Sequence, residues 1–163
     1  MDPQALVGLF RRTVTEHYFD MHGRVSRSEF WYFVLCCVVL GIAAAILRAV
    51  TFIPFNAILG LALLLPMAGM GARRLQDVGQ NGQLIWLLLI PAFIIQLFGL
   101  LVWGPFGVLG FLAFYFTIGW LLNLVALIAT VVAIYYWVQP GNPGDNAYGP
   151  PPPVFDPAIR PAV

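Results

Sequence analysis

Nine polar residues in three short runs carry most of the chemistry this sequence offers. Arg24, Arg27 and Glu29 form the first run, Arg73, Arg74 and Asp77 the second, and Asp145, Asn146 and Tyr148 the third. A planar guanidinium can donate two parallel hydrogen bonds to a phosphate or carboxylate. Four arginines in two clusters therefore point to an anion site, for a lipid headgroup or a small metabolite. A plainer reading of the same residues is that helix-end arginines meet lipid phosphates while the acids balance their charge. A partner-docking surface is the third alternative.

Other chemistries find less support. Glu16, His17, Asp20 and His22 lie close in sequence, but their spacing fits no standard metal site, and neither a metal nor another cofactor is expected. Cys36 and Cys37 are adjacent and diverge by about 100° on a helix, which suits packing better than a redox pair. Ser26 and Ser28 are the only serines, and no nucleophile-elbow motif or His partner accompanies them. The expectation is a protein that is not an enzyme. Gln96, Asn123 and Thr130 fall in apolar stretches, where each can hydrogen-bond between helices.

The elements that position these residues follow from composition. Of 163 residues, 61% are hydrophobic and 9% charged, and the net charge is +1. A soluble domain of this size cannot hide so much apolar surface, and a nucleic-acid binder would show a basic patch. The chain instead reads as an all-α polytopic membrane protein. No charged residue occurs in 30–47, 49–72 or 78–144. Helices of about 20 apolar residues cross the hydrocarbon core, which predicts four transmembrane helices at about 29–48, 54–73, 84–103 and 119–138. All basic residues are Arg, and with four crossings Arg11, Arg12, Arg24, Arg27, Arg73, Arg74 and Arg160 share one face, leaving only Arg48 on the other. The positive-inside rule places that face, and both termini, in the cytoplasm. Trp86 with Trp103, and Trp120 with Trp137, are separated by one membrane thickness, as expected of residues at headgroup level. No cleaved leader is expected.

Residues 1–28 read as a cytoplasmic segment whose stretch 4–19 is an amphipathic interfacial helix. Leu6, Leu9, Phe10, Thr13, Val14, His17 and Tyr18 fall on its apolar face, and Arg11, Arg12 and Glu16 lie opposite. Ser26 to Glu29 fits a capping box, with Val25 and Phe30 as the hydrophobic staple. Gly79 and Gly82 suit a tight turn before the third helix. Pro66 and Pro91 fall inside spans, and Gly41-xxx-Ala45 and Ala68-xxx-Ala72 offer close-packing faces. The apolar stretch 104–119 is expected to form a short interfacial or re-entrant hairpin, and 139–163 an extended Pro/Gly-rich cytoplasmic tail.

The three polar runs, in order and with helices between them, resemble a bacterial membrane-protein family called domain of unknown function 805. Its Gly-Arg-x-x-Arg-x-Glu-Phe-Trp run is matched by Gly23 to Trp31. Its Arg-Arg-Leu-His-Asp-x-Gly-x-Ser-Gly run is matched by Arg73 to Gly82, and its closing Pro-Gly-x-x-Gly-x-Asn-x-Tyr-Gly-Pro by Pro140 to Pro150. Gln76 stands where the family usually has His, and Asn81 where it has Ser; of the aromatic pair that often follows, only Trp86 is near. The resemblance implies a small inner-membrane protein without an established activity. With the topology it implies that all three runs meet in one cytoplasmic polar cap, where Arg74 or Arg73 can pair with Asp77 along the helix. The expected role is structural, an interaction or envelope-associated protein. Its partners would be membrane lipids and a second copy or another membrane protein, with no nucleic acid. A small oligomeric transporter or channel is the alternative, and a membrane enzyme ranks third.

Overall fold

The computed structural model describes residues 3–101 and 107–153, and among these it is all helical. Helix α1 spans Pro3–Thr15, α2 Arg27–Thr51, α3 Phe55–Asp77, α4 Trp86–Leu101, α5 Gly107–Phe114 and α6 Trp120–Val138. A 3-10 turn, Gly82–Ile85, leads into α4, and a π-helical turn, Tyr115–Gly119, joins α5 to α6. Three helices are long and apolar enough to cross a membrane: α2, α3 and the run Leu112–Val138. A shorter apolar helix covers Gly82–Phe98.

Local signals explain most of the boundaries. Ser26 is extended and its Oγ accepts from the Glu29 amide at 3.3 Å, so α2 starts at its cap. The other half of the capping box is absent, because the Glu29 carboxylate turns outward to Arg12 at 2.7 Å. Val25 and Phe30 are both buried beside the cap. Helix α3 ends in a turn with Gly79 at φ +80°, which a side chain would strain. Gly82 is needed for a different reason, since a Cβ there would sit 2.7 Å from Gln76 Nε2 and 3.1 Å from the Ala72 carbonyl.

Two expected elements differ. Helix α1 stops at Thr15 rather than reaching residue 19. The Asp20 carboxylate accepts from His17 Nδ1 at 3.1 Å and from the His22 amide at 3.0 Å, and this local turn replaces the helical ladder. The hairpin expected over 104–119 is also overturned for its described part. Residues 107–119 are helical and run straight into α6, so that helix begins well before 119. Thr117 Oγ1 bonds back to the Ala113 carbonyl at 2.8 Å, and the π turn Tyr115–Gly119 carries the helix on into α6. Residues 104–106 of that stretch, and Trp103 at the expected end of the third span, lie outside the described residues.

Helix α3 is the centre of the bundle. It packs against α2 on one side and α4 on the other, while α6 lies against α4 and reaches α3. The buried core is concentrated at one end, in Phe30, Phe33, Met70, Ala72, Leu75, Ile85 and Trp137. Ala68 and Ala72 form the close-packing face expected of them, whereas Gly41 and Ala45 are not packed within the chain. Trp137 is not a headgroup marker: it is buried, lies 4.7 Å from the Phe30 ring, and donates its Nε1–H to the Gly71 carbonyl at 3.1 Å. Beyond this core the outward residues of α2 (Val38, Val39, Ile42, Ile46, Val50) are exposed, a surface suited to acyl chains.

Candidate functional site

The three polar runs converge at the packed end of the bundle. Asp77, the last residue of α3, lies between two guanidinium groups. Arg24 comes from the loop before α2 and places Nε and Nη2 each 2.9 Å from Asp77 Oδ1. Arg74, one turn back on α3, bonds through Nη1 to Asp77 Oδ2. The three side chains are essentially buried, with exposures of 1% for Arg24, 0% for Arg74 and 4% for Asp77.

One carboxylate cannot neutralise two cations, and the balance comes from backbone carbonyls. Arg24 Nη1 donates to the carbonyls of Gly144 at 2.8 Å and Gly149 at 3.1 Å, and Nη2 to that of Asn142. Arg74 donates from Nε to the Trp137 carbonyl at 3.1 Å and from Nη2 to that of Gln139. Trp137 and Gln139 stand at the end of α6, where unpaired carbonyls and the helix dipole favour a cation. Arg27 assists from outside, with Nη1 3.4 Å from the Val138 carbonyl.

The segment after α6 is thus held by main-chain contacts. The Asn142 amide donates to the Asp77 carbonyl at 2.9 Å. Asn146 donates from Nδ2 to the Gln76 carbonyl at 2.9 Å, while its Oδ1 accepts from the Tyr148 amide at 2.9 Å. Asn146 and Gly149 then exchange backbone bonds at 3.2 and 3.1 Å, closing a turn with Gly149 at φ +119°. Gly141 lies so close to Asp77 that a Cβ would collide with the carboxylate. We call this assembly of Arg24, Arg74, Asp77 and the carbonyls the clasp.

Arg73 does not join the clasp. It points to the other side of α3, where Nη2 lies 3.1 Å from Met70 Sδ and the buried Nε has no hydrogen-bond partner. Asp20 and Glu29 supply its nearby negative charge, and Glu29 is also paired with Arg12. Burial pushes the Asp20 carboxyl up, but hydrogen bonds from the His22 amide and His17, with the charge of Arg73, outweigh burial and hold it below the ordinary range. His17, Asp20 and His22 therefore form a hydrogen-bonded turn, and among the described residues no His, Cys, Asp and Glu cluster could hold a metal. Gln76, at the position where His was expected, donates from Nε2 to the Met21 carbonyl at 2.9 Å, and its Oε1 is buried without a partner.

The polar residues of the apolar helices separate. Asn123 and Thr130 bond back to their own helix, to the carbonyls of Gly119 at 2.8 Å and Ala126 at 2.7 Å. Gln96 faces Gly60 of α3. The sequence reading missed the acceptors Trp137, Gln139, Asn142, Gly144 and Gly149, which act through carbonyls that every residue type has. The glycine-rich third run was their only signal.

Comparison with known proteins agrees with the resemblance of the three runs. A family model described as "Protein of unknown function (DUF805)" matches residues 18–150, the stretch that contains every component of the clasp. No curated protein and no solved structure matches the chain. The chain belongs to the DUF805 family of proteins of unknown function.

Proposed function

We propose that this chain is a multi-pass protein of the bacterial inner membrane, with four crossings and both termini cytoplasmic. Its role is non-catalytic: a scaffold that binds another membrane protein or a second copy through a cytoplasmic face held rigid by the clasp. The observation that carries this reading is the saturation of Arg24. Its guanidinium donors meet Asp77 and three carbonyls of the same chain, so the residue best placed for an anion site instead fastens the C-terminal segment. The fourth crossing is supported by the length of the 3-10 turn plus α4, Gly82 to Leu101, which spans roughly 30 Å. The arginine distribution supports the orientation.

Lipid is the second expected contact. Arg11, Arg12 and Arg27 are exposed around the clasp and suit phosphates at the headgroup level. The hydroxyl of Ser26 accepts from the Glu29 amide and lies 3.3 Å from Ser28 Oγ, the contacts of a helix cap, which supports a structural role for it.

Reporter fusions after Gly82, Gly107 and Tyr148 test the topology; the expected sides are cytoplasmic, periplasmic and cytoplasmic, and a periplasmic Tyr148 refutes the shared face. Cross-linking in native membranes tests the scaffold. A discrete adduct with a second copy or another membrane protein is expected, and recovery of the monomer alone overturns it.

A further inference from the structure

A second site lies away from the clasp. Helices α2 and α4 both pack on α3 but scarcely on each other, which leaves a cleft of about 370 Å³ with α3 as its floor. Its polar end holds Asn56, near the start of α3, and Gln96 of α4. From Asn56 to Met67 the floor runs roughly 16 Å along the helix axis and becomes wholly apolar, through Leu63 and Met67. Among the described residues no charged side chain lines it.

Three features mark a binding site. The Asn56 Oδ1 is buried without a hydrogen-bond partner, a costly state inside an apolar bundle. Gly60 has no side chain at the place where the Gln96 amide lies across it, which lets that amide reach the floor. A Cβ at Gly41, on the α2 wall, would meet only open space.

We propose that this cleft binds a neutral, single-chain lipid with a hydroxyl head, of the monoacylglycerol or long-chain alcohol type. A hydroxyl both donates and accepts, so it satisfies the orphaned Asn56 amide in either orientation and leaves a bond for Gln96. The absence of charge in the lining disfavours a phosphate or carboxylate head, which would enter unpaired. The volume is near the lower end for small-molecule sites and suits one chain. The polar-to-apolar gradient sets the head at the end of α3 remote from the clasp and the chain toward the middle of the bundle. The inference does not depend on which side of the membrane the clasp occupies.

The test uses the full chain in vesicles of phosphatidylethanolamine and phosphatidylglycerol, with a monoacylglycerol carrying a photoreactive diazirine in its acyl chain. Irradiation is expected to label α3 between Leu59 and Met67 and α2 near Gly41, and excess unlabelled monooleoylglycerol is expected to suppress the label. Gly41→Leu fills the open space and should lower labelling at least about tenfold, while Asn56→Leu removes one hydrogen bond and should lower it about two- to tenfold. Far-ultraviolet circular dichroism checks that each variant is folded. The proposal is overturned if unlabelled monooleoylglycerol fails to compete on the unaltered protein. It is equally overturned if a matching probe whose hydroxyls are methylated labels the cleft as well, or if the cleft cross-links to a second copy in place of the lipid.

Discussion

Replacing Asp77 by Asn is the sharpest perturbation of the clasp, because it removes one charge and changes almost nothing in size. Asp77 accepts a hydrogen bond from Arg24 Nε and one from Arg74 Nη1, with Arg24 Nη2 also within ion-pair distance, and all three side chains are less than 5% exposed. The variant leaves two buried guanidinium groups facing each other with no counter-ion. Breaking a buried pair by removing one partner costs about 3–5 kcal/mol, most of it the penalty of the stranded charge. The carbonyls of Asn142, Gly144 and Gly149 still solvate Arg24, and those of Trp137 and Gln139 still solvate Arg74, which argues for the lower end. A cost of about 3 kcal/mol corresponds to a clasp open roughly 10²-fold more often. The readout is hydrogen exchange of the Asn142 amide, which donates to the Asp77 carbonyl and is released when the segment lifts. Exchange at this site should rise by about two orders of magnitude, while amides in the middle of α2 stay protected. If Asn142 remains protected as in the unaltered protein, the buried charge is not what holds the segment, and the clasp reading is wrong.

Gly141→Ala should lift the same segment by steric means, since its Cβ would strike the Asp77 carboxylate, whereas Gly144→Ala meets open space and should leave exchange unchanged. Equal effects from the two would contradict the described approach of the backbone to Asp77. Ser26→Ala removes the cap of α2 and should cost about 1 kcal/mol, seen as faster exchange of the Glu29 amide. The Asp20 carboxyl should titrate below the ordinary value of about 3.9 by carbon-13 NMR, and Arg73→Met should move its midpoint upward. A carboxyl depressed in the folded state adds stability that is fully present above the ordinary Asp range and is lost as pH falls through the lowered value. The 16–23 turn should therefore hold unchanged from neutral pH to about 5 and loosen only near pH 4 and below; a midpoint at or above the ordinary value refutes this.

What could be read from residue types was what residue types encode. Ser26 announced the start of α2 because only a side-chain acceptor can satisfy those amides. The i, i+3 spacing of Arg74 and Asp77 announced their pairing once the helix ran to Asp77. The separation of Arg73 from Arg74 was not legible, although adjacent helix residues point about 100° apart, because nothing in the sequence told which face each met. The docking of the last segment was hidden for a different reason: its hold depends on carbonyls of Asn142, Gly144 and Gly149, and only Gly141 betrays the close approach through the lack of a side chain. The stretch 107–119 misled because an apolar composition does not tell a hairpin from an extension of the next helix, and the helix satisfies its backbone bonds within one segment.

The clasp also changes what the arginine distribution means. Arg24 and Arg74 are buried and cannot meet a headgroup, while Arg11, Arg12 and Arg27 are exposed at the same end. The arginines at this end therefore fall into two populations, one exposed and one buried inside the protein. The buried pair carries one more positive charge than Asp77 can balance, and the difference is met by carbonyls that exist in the right place only when α6 has ended and the following segment has folded back. The loop before α2, the end of α3 and the segment after α6 are consequently stable together or not at all. That mutual dependence is a physical reason for three short polar runs, separated by long apolar helices, to behave as one site.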